Sequence, residues 1–127
     1  MLETGASWSN FLDAKIWREK TNIRLKNYEL AIENLRPLAR KLISKNKYFS
    51  IANATVADAF MKLKKEDSTL YYIKRAAKNE SKKMLKARYL FLTGQLFESI
   101  KEKDSAQWAY KQICLLYTSP SPRDRIS

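Results

Sequence analysis

Three polar breaks in this chain are copies of one another, and they constrain its fold more than any other feature. "LKNYE" at 25–29, "LKKEDS" at 63–68 and "IKEKDS" at 100–105 each open with an apolar residue and a lysine: Leu25-Lys26, Leu63-Lys64 and Ile100-Lys101. Six positions after the apolar residue stands a small one, Ala31, Thr69 or Ala106, and four further on a bulky one, Leu35, Ile73 or Tyr110. Another three positions give Leu38, Ala76 and Ile113. Twelve positions before Thr69 and Ala106 lie Ala57 and Gly94, with Phe60 and Phe97 three later. The copies are 38 and then 37 residues apart, room for two helices and their links.

Between the breaks, apolar residues recur at helical spacing. Tyr28, Ala31, Leu35, Leu38 and Leu42 share one face; so do Val56, Phe60 and Leu63, and Leu85, Tyr89, Leu92, Leu96 and Ile100. Two glycines in 127 residues leave little material for hairpin turns or phosphate-cradling loops, so the expected class is all-α. Gly94 falls inside a helix, where glycine costs about 1 kcal/mol relative to alanine, so a close helix–helix approach is expected there. Pro37 falls inside the second helix of the first copy and predicts a kink or break near Arg36.

The chain contains no histidine and one cysteine, Cys114, which excludes histidine acid–base chemistry, internal disulfides and cysteine-histidine zinc sites. It has no nucleophile triad and no Gly-rich loop, so no catalytic residue, cofactor, metal or small-molecule substrate is expected. No apolar run approaches the ~20 residues that span a bilayer. The start, "MLETGASWSNF", lacks the plan of a secretory signal, so the protein is either cytosolic or begins inside a longer chain.

A small residue, an aromatic three later, a small residue nine after that and an aromatic four later is the pattern of the tetratricopeptide repeat (TPR), which these copies resemble. "TGQLFESIKEKDSAQWAYKQI" is the best copy, "VADAFMKLKKEDSTLYYIKRA" the second, and "EKTNIRLKNYELAIENLRPL" matches in its second half. In that first copy Glu19 holds the small position and Asn22 the aromatic one, so its first helix is expected to pack differently. The copies span roughly 12–46, 50–82 and 87–113, within a repeat region taken as 1–113. The resemblance implies a solenoid of antiparallel helix pairs, truncated at about three repeats, with loops absorbing the residues beyond the family's usual period of about 34.

It also implies a concave, partner-binding groove lined by the first helices. Its positions are Ile16, Lys20, Ile23 and Arg24 in the first copy, and Ile51, Ala54, Asp58, Met61 and Lys62 in the second. The third adds Arg88, Phe91, Gln95 and Glu98. The implied partner is a protein helix or extended segment. The Lys/Asn carboxylate clamp of some relatives is missing, since Ile16 and Lys20 stand at its first two positions, so chaperone tails are not expected. More narrowly, "AKIWREKTNIRLKNYELAIENLRPL" and "KARYLFLTGQLFESIKEKDSA" resemble the TPR lipoproteins of gliding motility and type IX secretion. That implies a scaffold on the periplasmic face of a membrane, held by an N-terminal lipid anchor missing from this sequence.

The last stretch reads differently. "CLLYTSPSPRD" resembles, over all eleven residues, the one-frame translation of a transposase-library sequencing adapter, so 114–127 is expected to be a non-native tail. Cys114 to Tyr117 would extend the last helix before Pro120 stops it. Without Arg123, Asp124 and Arg125 the formal charge falls from +12 to +11. Lysines gather at 40–48 ("RKLISKNKY") and 78–88 ("KNESKKMLKAR"). Solvated helix faces account for them first, an acidic protein or anionic lipid surface second, and nucleic acid third. A cytosolic basic module binding nucleic acid or another anionic partner is thus the alternative function. Trp17, Phe60, Phe97, Trp108 and Tyr110 are expected in the core.

Overall fold

The structure, a computed structural model, describes residues 5–118 of the chain. Among them are six helices and no strand: α1 (Gly5–Arg24), α2 (Tyr28–Lys41), α3 (Phe49–Lys62), α4 (Glu66–Asn79), α5 (Lys83–Ser99) and α6 (Lys103–Thr118). The protein is all-α. Each helix packs mainly on its neighbours in the chain, and α1 also reaches α3.

The sequence repeat is a repeat of one backbone device. After α1, Lys26 N–H donates to the Ile23 carbonyl at 2.9 Å and Asn27 N–H to the Asn22 carbonyl at 2.8 Å. After α3 the same pair runs from Lys64 to Met61 (2.9 Å) and from Lys65 to Phe60 (3.0 Å). After α5 it runs from Lys101 to Glu98 (3.0 Å) and from Glu102 to Phe97 (2.8 Å). This is the Schellman cap, which satisfies the last carbonyls of a helix by taking one residue left-handed. Glycine usually takes that place; here Lys26, Lys64 and Lys101 do, at φ 68°, 61° and 64°. Each pays roughly 1 kcal/mol for the crowding of its Cβ. The next helix follows at once, with Ala31, Thr69 and Ala106 N–H donating to the carbonyls of Asn27, Lys65 and Glu102. The regularly spaced small residue therefore closes the first turn of each second helix.

Links between pairs are built otherwise. Residues 42–48 join α2 to α3, and there Asn46 Oδ1 accepts from Tyr48 N–H at 2.7 Å, a side-chain turn of the kind asparagine favours. Residues 80–82 join α4 to α5. Short links reverse the chain at every step, so both lysine clusters lie at one end of the array, opposite the three capped turns.

Pro37 does not break α2, which runs unbroken from Tyr28 to Lys41. Proline removes only the hydrogen bond to the Glu33 carbonyl, and both residues are on the exposed side, where water can replace it. The helix survives because its opposite face, Ala31, Ile32, Leu35 and Ala39, is buried. At the other end of the chain, α6 runs through the Cys114–Tyr117 stretch to Thr118. Pro120 and the rest of 119–127 lie outside the described residues.

The core runs along all three pairs. α1 contributes Leu12, Ile16, Glu19 and Ile23 at helical spacing, and α3 is buried on several sides through Ala52, Val56, Ala57, Ala59 and Phe60. Full burial of a large aliphatic such as Leu12 or Leu35 contributes about 1.5–3 kcal/mol each.

One polar node ties three helices together. The Ala39 carbonyl, among the orphaned last four of α2, accepts from Asn53 Nδ2 and from Arg75 Nη2, each at 3.3 Å. Arg75 Nε donates to Asn53 Oδ1 at 2.9 Å, and Asn53 is fully buried. The guanidinium lies 5.0 Å from the Phe49 ring centroid and brings positive charge to the negative end of α2. Asn53 is thus a buried polar residue in an apolar stretch because it serves a neighbouring helix.

Candidate functional site

The first-helix positions divide by depth. Ile16 and Ile23, expected to face a groove, are 3% and 7% exposed and belong to the core. The stripe of α1 that meets α2 and α3 runs through Leu12, Ile16, Glu19 and Ile23, and it takes both isoleucines out of reach of any partner. Lys20 is half-buried with its Nζ 4.9 Å from the Trp17 ring centroid, while Arg24 is exposed. On α3, Ile51 and Ala54 are half-buried against the core, Asp58 is half-buried, and Met61 and Lys62 are exposed. Asp58 Oδ1 accepts from Lys62 Nζ at 2.9 Å, a surface pair of small energetic weight.

On α5, Arg88, Phe91, Gln95 and Glu98 are all exposed. The rings of Phe91 and Tyr110 stand 5.9 Å apart, and Glu98 Oε1 accepts from the Tyr110 hydroxyl at 2.7 Å. That hydrogen bond is the first cause holding the Tyr110 phenol above its ordinary pKa of 10.0. The fold brings Met61 and Gln95 together: both line a groove of about 270 Å³ between the end of α3 and α5, floored by Leu92 and Leu96. Arg24, Asp58 and Arg88 do not line it.

Two expected core aromatics are on the surface. Trp17 is 53% and Trp108 51% exposed, whereas Phe60 is buried and Phe97 and Tyr110 are half-buried. Trp17 falls between Ile16 and Glu19 in sequence but on the far side of α1 from their stripe. Trp108 lies outside the buried pair Ala106 and Ala109 of α6 for the same reason. At 100° per residue, one step off a buried stripe is enough to reach solvent.

A larger groove, not read from the sequence, lies between α4, α5 and α6. It encloses about 740 Å³. Its apolar lining includes Tyr71, Ala77, Leu90 and Trp108, together with Leu115 and Leu116 from the segment that resembles translated adapter. Lys74, Arg75, Lys78 and Lys86 also line it, and no aspartate or glutamate is among its lining residues. The signal for it was present: the 78–88 lysine cluster falls at this end, and Tyr71 and Lys74, Arg75 or Lys78 share one side of α4. Among the described residues no group of three or more metal-ligating side chains forms, and no helix is long and apolar enough to cross a membrane. No protein-family model and no curated protein matches the chain.

Proposed function

We propose that this chain is part of a TPR-type solenoid that serves as a protein–protein interaction scaffold and catalyses nothing itself. The observation that carries the reading is the threefold recurrence of one capped helix pair, with Lys26, Lys64 and Lys101 left-handed at steps of 38 and 37 residues. An array of helix pairs built on one repeated turn is the architecture of extended binding surfaces. The first helices offer a partner Arg24, Met61, Lys62, Arg88, Phe91 and Gln95, a mixture of apolar and charged groups suited to a protein helix or extended segment. The resemblance to TPR lipoproteins of gliding motility and type IX secretion makes a cell-envelope assembly the proposed setting.

Site-specific photocrosslinking tests the binding surface. A photoreactive residue at Met61 or Phe91 should capture a discrete protein from a lysate of the source cells, and one at Arg40, on the exposed side of α2, should not. Equal capture at all three positions, or adducts to nucleic acid that vanish between 50 and 200 mM salt, would remove the reading in favour of a basic nucleic-acid module.

A further inference from the structure

We infer that the groove between α4, α5 and α6 docks an acidic amphipathic helix, a partner whose apolar residues enter the groove while its carboxylates meet the surrounding cations. Charge is the first argument. Among the described residues the ion pairs are Arg18–Glu19 and Lys62–Asp58, so none of Lys74, Arg75, Lys78 and Lys86 faces a carboxylate within 4.0 Å. What holds these cations is neutral. Lys86 Nζ donates to the Lys78 carbonyl at 3.1 Å, Lys74 Nζ lies 5.7 Å from the Phe97 ring centroid, and Arg75 is bound to Asn53 and Ala39. Lys78 is exposed. Four positive charges around one depression leave a field that an anionic partner neutralises, and it steers such a partner inward.

The lining decides which anion. A phosphate backbone asks for cations on an open polar surface. Here the cations surround Tyr71 and Trp108, 49% and 51% exposed, above buried Leu90. Half-exposed large aromatics beside a well-formed apolar hollow are the anchors that helix-in-groove recognition uses. About 740 Å³ accommodates one face of a short helix, three or four side chains at i, i+3, i+4 and i+7. This surface differs from the one offered for the scaffold. Around α5, Leu90 stands about 100° from Phe91 and about 140° from Gln95, and neither of those two lines the groove, so either surface can fail without the other.

The test is fluorescence anisotropy on the full chain with a labelled peptide of about 18 residues, five helical turns, carrying leucines at i, i+3, i+4 and i+7 and glutamates elsewhere. The expected result is saturable binding, with a scrambled peptide of the same composition at least about tenfold weaker. The variant Lys74→Glu/Lys78→Glu, both at exposed positions, should keep its helical circular dichroism and lose affinity by about tenfold or more. Changing Leu115→Ser/Leu116→Ser should alter affinity by no more than about threefold, because the cations and both aromatic anchors remain. Three results would overturn the inference. Equal binding of the scrambled peptide would show charge without a groove. Displacement of the peptide by an oligonucleotide of equal charge at equal concentration would assign the cations to phosphate. Loss of binding in the Leu115/Leu116 variant alone would show that the junction segment creates the site.

Discussion

The first and third helix pairs use the same position in opposite ways. Gly94 of α5 and Glu19 of α1 both hold the place where the pattern asks for a small residue, with Ala57 between them in α3. At Gly94 the ring of Tyr110 lies against the backbone, and an added Cβ would come within 2.7 Å of Tyr110 Cζ. Glycine there is a packing requirement, which accounts for its presence inside a helix. At Glu19 a large, charged side chain is fully buried instead. Its Oε1 accepts from Asn22 Nδ2 at 2.8 Å and Asn34 Nδ2 at 3.2 Å. Among the described residues its Oε2 has no hydrogen-bond partner and only the distant guanidinium of Arg18 at 3.7 Å. The pair that keeps the small residue gains an intimate ring-on-backbone contact. The pair that abandons it needs two asparagines, at Asn22 and Asn34, and packs less extensively. One register position can thus be solved by volume or by hydrogen bonding, and the hydrogen-bonded solution leaves a buried oxygen unsatisfied.

Enlarging Gly94 should break this contrast most sharply. Gly94→Leu forces α5 and α6 apart and should destabilise the chain by about 3 kcal/mol, read as a shift in the urea midpoint. Gly94→Ala is the finer version: overpacking outweighs the helix-propensity gain, for a net loss of about 1 kcal/mol. In a Tyr110→Leu background the same change should turn stabilising. A loss of equal size in both backgrounds would show that the ring is not the reason for the glycine.

Glu19→Gln tests the other solution. The amide keeps an oxygen for both asparagines and removes a buried charge, a gain larger than the cost of its unpartnered N–H donors, so stability should rise by about 1 kcal/mol. A loss of that size would mean that the carboxylate is held by more than Asn22, Asn34 and Arg18. The three capped turns should be nearly equivalent. Lys26→Gly, Lys64→Gly and Lys101→Gly each relieve a left-handed Cβ against a small gain in unfolded-chain entropy, for about 0.5 kcal/mol apiece. An effect confined to one turn would show that the shared hydrogen bonds conceal different strains.

The smallest expected effect appears at alkaline pH, and it belongs to the third pair. The Tyr89 phenol is raised above its ordinary value of 10.0 chiefly by burial, then by Glu80, with Arg88 opposing. A group raised in the fold stabilises it fully below its unfolded pKa and ceases to do so as pH climbs through the folded value. Melting temperature should therefore hold up to about pH 10 and fall above it, and Tyr89→Phe should blunt that fall. An identical alkaline fall in the variant would assign it to other phenols.

Much of this was legible in residues that act locally. The repeat register, the all-helical class and the close approach at Gly94 are all legible in the residues alone. The αL lysines were not, since their spacing marked a turn without specifying its hand. Asn53 gives no such signal, because an asparagine inside an apolar helix announces its burial only when the open end of α2 is seen beside it. Of the candidate surface, the α5 positions are exposed, but Ile16 and Ile23 are buried. Their pattern of spacing is equally that of a core stripe, and only the rotation of α1 about its axis decides between the two.

By itself the sequence determined what depends on neighbours along the chain: helices of 3.6-residue period, turns at fixed intervals, and small residues where two helices must approach. Tertiary structure alone decided what depends on neighbours in space. It turned Trp17 and Trp108 outward, let α2 run through Pro37 by burying its opposite face, and set Arg75 on the carbonyl of Ala39. It also enclosed a groove among cations drawn from α4 and α5. Helical periodicity fixes the angles between residues of one helix, whereas exposure also depends on which side the neighbouring helices cover.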